Sequence, residues 1–197
     1  FAAPLPKPAA KMDRLVDYRS KSHDLDRRAR SYLHANCSHC HRKWGGGNAR
    51  FQLLATVDLA GTGTVNVRPG QGTFRMAQAK LLAPGDPYRS VLFFRMSKLG
   101  SGRMPRIGSS VIDTAGVGLI HDWIASLPAG SPDNNLAVER GRIATAIKAL
   151  GTGANDKARG QEIDKLLGST PGAIRLLQAI KRSELPAATG QQAIRVA

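Results

Sequence analysis

Cysteine is scarce in this chain. There are two in 197 residues, Cys37 and Cys40, so sulfur chemistry is confined to one place. Aromatic residues are also few, at 5%, and they are not interleaved with clustered Lys and Arg as in a nucleic-acid reader. Nucleic acid is therefore not the expected partner. No apolar run approaches the roughly 18 residues that a bilayer-crossing helix requires, so no membrane span is expected. The opening FAAPLPKPAAK lacks the basic-then-apolar order of a secretory signal, and the expectation is a mature form or an excised domain.

Acidic residues are half as common as basic ones, 14 against 29, for a formal charge of +15. The basicity is spread along the chain, with 19 basic and 8 acidic residues in 1–131 and 10 and 6 in 132–197. Such a surface favours an acidic partner, a separate protein or a neighbouring domain of the intact molecule.

The order Leu25, Ala29, Tyr32, Leu33, Asn36 has helical spacing, with Asp24 or Ser22 placed to cap it. Residues 1–21 precede it as a Pro/Ala-rich extended lead-in. Residues 50–84 turn Gly/Thr-rich and read as a long loop with a short hairpin. Asp86 and Pro87 are placed to open a second helix carrying Val91, Leu92, Phe94 and Leu99, ended by Gly100. Leu119, Ile120, Trp123, Ile124 and Leu127 form the face of a third, stopped by Pro128 and Gly130. The expected boundary lies there. The main domain is 22–130, and 131–197 is an appendage of short Ala/Leu/Ile helices, or the start of a helical repeat array. The fold class is mostly α.

The chemistry is carried by NCSHCHRKWGGGN, residues 36–48. Cys37-Ser38-His39-Cys40-His41 has the Cys-x-x-Cys-His order of covalent haem attachment. Two thiols three positions apart can each form a thioether to a haem vinyl group, and the histidine that follows is tethered as an axial ligand. Gly45, Gly46 and Gly47 would let the chain turn against the porphyrin edge without a Cβ in the way. Two competing readings stand beside this. A structural zinc site wants four ligands, and no second spaced Cys/His pair follows. A redox dithiol is expected where a strand meets a helix, whereas here a helix leads in.

For the sixth iron position the candidates are Met76, Met96, Met104 and the other histidines. Met104 stands out in LGSGRMPRIG, a glycine-flanked loop that Pro105 stiffens, while Met96 falls on a helical face and reads as core filling. His121 reads as a surface or satisfied interior residue. Trp44 reads either as packing on the haem edge or as a core tryptophan.

Together these stretches resemble the class I cytochrome c domain over residues 22–128. More narrowly, RARSYLHANCSHCHRKWGGGN, LLAPGDPYRSVLFFRM and GRMP are similar to the cytochrome c modules of large multidomain secreted planctomycete proteins. The resemblance implies a small helical fold around one covalent haem c held by Cys37 and Cys40, with His41 proximal and Met104 distal. It also implies one-electron transfer without an enzymatic activity of the domain's own, in a periplasmic or otherwise extracytoplasmic setting. The alternative within haem chemistry is an enzyme or gas sensor with an open or labile sixth position. One departure is visible: Gly45 to Asn48 occupy the place of the proline whose carbonyl usually orients the proximal histidine.

Overall fold

In the computed structural model, residues 6–129, 134–152 and 155–196 are described. Among them are seven α-helices and no strand, in agreement with the mostly α expectation. By compactness the chain divides into two units, Phe1–Gly63 and Thr64–Ala197. The boundary expected near 130 falls within the second.

The first unit is organised around α1 (Leu25–Cys37). Asp24 caps it, its carboxylate accepting from the Arg27 N–H at 2.8 Å, and Ala29, Tyr32 and Leu33 are buried. The end of the segment before the helix is docked on it. Val16 N–H donates to the Ser31 hydroxyl, Arg28 Nε donates to the Tyr18 carbonyl, and the Tyr18 and Tyr32 rings meet edge-on at 4.9 Å. On another side, Arg30 donates to the carbonyls of Ala55 and Val57. The loop after the cysteines is thereby held to α1 by a guanidinium, whose several N–H groups satisfy two backbone acceptors at once.

The second unit begins with irregular chain. Residues 64–90 contain two isolated parallel bridges, Val65 with Leu82 and Lys80 with Ser90, where the sequence suggests a hairpin. Its apolar residues serve a small cluster, Met76, Ala79 and Val91, packed by Phe74 and Phe94. The second predicted helix is shorter than its pattern. A 3₁₀ turn, Pro87–Arg89, precedes α2 (Val91–Met96), which ends at Ser97 rather than Gly100. Asp86 does not cap it, because its carboxylate receives Arg89 and Arg140 instead. The third helix, α3 (Thr114–Ser126), matches its pattern, capped by Asp113 and burying Leu119, Ile120, Trp123 and Ile124.

Residues 134–152 and 155–196, where the sequence suggests short helices, form a helical bundle. It comprises α4 (Asn134–Gly151), α5 (Asp156–Leu167), α6 (Thr170–Lys181) and α7 (Ala187–Val196). These share one core of Ile147, Leu150, Ile163, Leu166, Leu176 and Ala193 with their neighbours. Helices this short gain stability from shared burial, not from propensity. Asn155 and Ser169 cap α5 and α6. The fourth helix, α7, goes unnoticed in the sequence because Pro186 and a polar TGQQ stretch mask its single buried stripe.

Candidate functional site

The end of α1 carries the two thiols. Cys37 is its last residue, and the Cys37 carbonyl accepts from both Cys40 N–H at 3.2 Å and His41 N–H at 2.9 Å. One turn therefore presents Cys37, Cys40 and His41 together. Both cysteines are reduced and half-buried. Burial pushes the Cys37 thiol up to about 12, and Cys40 beside it adds to the rise. His39 is exposed, and His34 is engaged elsewhere, its Nδ1 accepting from the Ala55 N–H at 3.1 Å.

The glycines after the turn approach the chain itself. Gly47 N–H donates to the Cys40 carbonyl at 3.1 Å, folding the run back over the cysteine turn. A Cβ on Gly45 would lie 2.5 Å from the Cys40 carbonyl oxygen and one on Gly47 2.9 Å from it, whereas Gly46 has nothing within 4 Å. Trp44, ahead of Gly45, takes a left-handed φ of 65° and is 91% exposed, so it is not a core tryptophan.

Phe51 was not singled out in the sequence, yet it contacts the histidine directly. Its ring stacks on His41 with centroids 4.4 Å apart and planes 8° from parallel. The returning chain is pinned alongside, with Leu53 N–H donating to the His41 carbonyl at 2.8 Å and Lys43 N–H to Gln52 Oε1 at 3.1 Å. Nothing in local spacing signals a contact ten residues away. The only cue is an aromatic residue at the head of an otherwise aliphatic-rich stretch, FQLLATVDLA.

Met104 belongs to the second unit. It follows α2 in a loop fastened by two arginines. Arg95 offers its carbonyl to Met104 N–H at 3.0 Å and its guanidinium to the Gly102 and Gln71 carbonyls, each at 2.9 Å. Arg103 reaches forward to Ser109 and to the Val111 carbonyl. Gly102 is required here, since its φ is +80° and a Cβ would meet the Phe74 ring at 2.9 Å. The Met104 side chain is half-buried, with a cis peptide leading to Pro105. The methionine buried in this unit is Met76, 3% exposed. Met96, expected in the core, is only half-buried. His121 is engaged by Tyr88 and Asp122.

Comparison of the chain with protein-family models, with curated proteins and with solved structures returns no match. Among the described residues, no three His, Cys, Asp or Glu side chains gather as a metal-binding group, and no helix is long and apolar enough to cross a membrane. The site is thus defined by the turn at Cys37–His41 and its surroundings. The donor set of that turn, two reduced thiols and an imidazole braced by Phe51, fits covalent attachment of a haem.

Proposed function

We propose that this chain is a one-electron transfer module of a larger extracytoplasmic redox protein, folded as a cytochrome c-like domain around a single haem c. The observation that carries the reading is the Cys37–His41 turn, in which one helix end presents two reduced thiols and an imidazole in the order that haem attachment requires. When bound, haem c supplies an iron that accepts and returns one electron.

The chain's own residues have separable tasks in this reading. Cys37 and Cys40 supply the thioether sulfurs, and His41 supplies the proximal nitrogen. Phe51 restrains the rotation of the imidazole ring by stacking on it. Met104 supplies the distal sulfur from a loop that Arg95 and Arg103 hold in shape.

The test is chemical and optical. Haem should stay with the polypeptide through acid-acetone extraction, and Cys37→Ala or Cys40→Ala should sharply lower holoprotein yield. Met104→Ala should abolish the weak far-red ferric band of a methionine–iron bond with haem still attached, while Met96→Ala leaves the band intact. Haem recovered in the organic phase would remove the attachment. A spectrum in which Met104→Ala changes nothing would favour an open or labile sixth position, as in a haem enzyme or gas sensor.

A further inference from the structure

The second unit contains a cavity of about 390 Å³ between the turn at Gly85–Arg89, α3, α4 and α6. That volume is within the range of small-molecule sites, and this cavity plays no part in the haem reading. Its wall is apolar at Pro87, Ala125, Ile143, Ala144 and Pro171, while Tyr88, His121, Arg175 and Arg182 converge on it.

The polar groups divide into an occupied pair and an available pair. His121 Nδ1 lies 2.9 Å from Asp122 Oδ1, and its Nε2 lies 3.0 Å from the Tyr88 hydroxyl. Nδ1 also lies 3.0 Å from Arg182 Nη2, so the ring is held between Asp122, Arg182 and Tyr88 and forms part of the wall. The guanidiniums are differently placed. Arg175 meets Glu184 through Nη2 at 2.6 Å, and Arg182 uses the same single nitrogen, Nη2, toward Asp122 at 2.6 Å and toward His121. Both pairs are partly exposed, where ion pairs contribute little, and each guanidinium keeps N–H groups for a second acceptor.

The local field also has a sign. Burial is the main influence on Tyr88 and raises its pKa, but among charges Arg175 and Arg182 act on the phenol more strongly than Glu184 and Asp86 do. The carboxylates of the wall are Asp86, which already receives Arg89 and Arg140, Glu184, which receives Arg175, and Glu139, so its four arginines outnumber its three carboxylates. A low-dielectric wall strengthens the attraction of Arg175 and Arg182 for a negative group.

We propose that this cavity is a binding site for a small carboxylic acid, its carboxylate held by Arg175 and Arg182 and its apolar body seated against Pro87, Ile143, Ala144 and Pro171. Planar carboxylates match the guanidinium fork, which is why arginine rather than lysine suits the position.

Calorimetric titration of the full chain with benzoate, benzyl alcohol and inorganic phosphate tests this. Benzoate should bind saturably at one site, and the neutral benzyl alcohol and the phosphate, which has no apolar body, should each bind at least about tenfold more weakly. Arg175→Gln and Arg182→Gln should each weaken benzoate by about tenfold, while Arg159→Gln, on α5, leaves it unchanged. Should either arginine variant fail to fold, Ala144→Phe retains every ion pair named above and should abolish binding by filling the cavity. No benzoate binding to the unaltered chain overturns the proposal. So does equal binding of benzoate and benzyl alcohol, phosphate binding as tight as benzoate's, or full affinity in folded Arg175→Gln or in Ala144→Phe.

Discussion

Gly45, Gly46 and Gly47 are consecutive and chemically identical, yet their environments differ. Gly45 and Gly47 approach the Cys40 carbonyl so closely that a methyl group would force the backbone apart, while Gly46 faces open space. Gly45→Ala should therefore cost about 2 kcal/mol of stability and lower holoprotein yield, with Gly46→Ala near neutral, as read from urea unfolding midpoints. Equal effects at the two positions would contradict the close approach. Cys37, Cys40 and His41 stand out in the sequence because of their order, and the structure brings them to one turn. The glycines stand out as a run, but sequence does not reveal that the chain there folds back on its own carbonyl. Phe51 was illegible for a related reason, its stacking on His41 being a product of loop closure.

Helices α1 and α3 were readable because each has a capping carboxylate and a full apolar stripe. The helix after Asp86 was over-read. Asp86 resembles a cap in sequence, but its carboxylate is taken by Arg140 of α4, a partner 54 residues away. A similar long-range link joins α3 to Arg182 beyond α6, and it makes stability pH-dependent. Burial holds His121 below the ordinary histidine range; Asp122 opposes this, and the guanidiniums of Arg182 and Arg175 reinforce it. Burial alone would raise Asp122, but hydrogen bonds from His121 and Arg182 hold its carboxyl below the usual carboxylate range. As pH falls below about 6.5, the unfolded chain takes up a proton that folded His121 refuses. The resulting stability is complete above that pH and is lost progressively down to the folded value. Unfolding midpoints at pH 7.5, 6.5 and 5.5 should fall for the native chain, and the fall should be smaller for His121→Gln. An identical fall in the variant would assign the effect to the other histidines.

At the scale of the whole molecule, the charge of +15 is the feature that neither unit's packing requires. Exposed charge of one sign steers encounter with an opposite partner and is screened beyond a Debye length of about 10 Å at 0.1 M salt. Electron transfer from the holoprotein to an acidic acceptor protein should therefore slow severalfold between low and moderate salt, with little change for a neutral small-molecule oxidant. A salt-independent rate with the acidic acceptor would leave the charge as a counterweight to a neighbouring acidic domain. The sequence places a boundary near 130 because Pro128 and Gly130 read as a helix stop, Gly130 itself lying outside the described residues. Helix stops are local, whereas compactness depends on pairs such as Asp86 with Arg140 and Asp122 with Arg182, which span that point.

The two tryptophans stand in opposite surroundings. Trp44 of the first unit is 91% exposed and Trp123 of the second is 1% exposed. The chain thus carries two intrinsic fluorophores, one per unit. The water-facing indole emits to the red and is open to a dissolved quencher such as iodide, while the shielded indole emits to the blue and is protected. In the haem-free chain, wavelength and quencher access together let the melting of each unit be followed separately in one unlabelled sample.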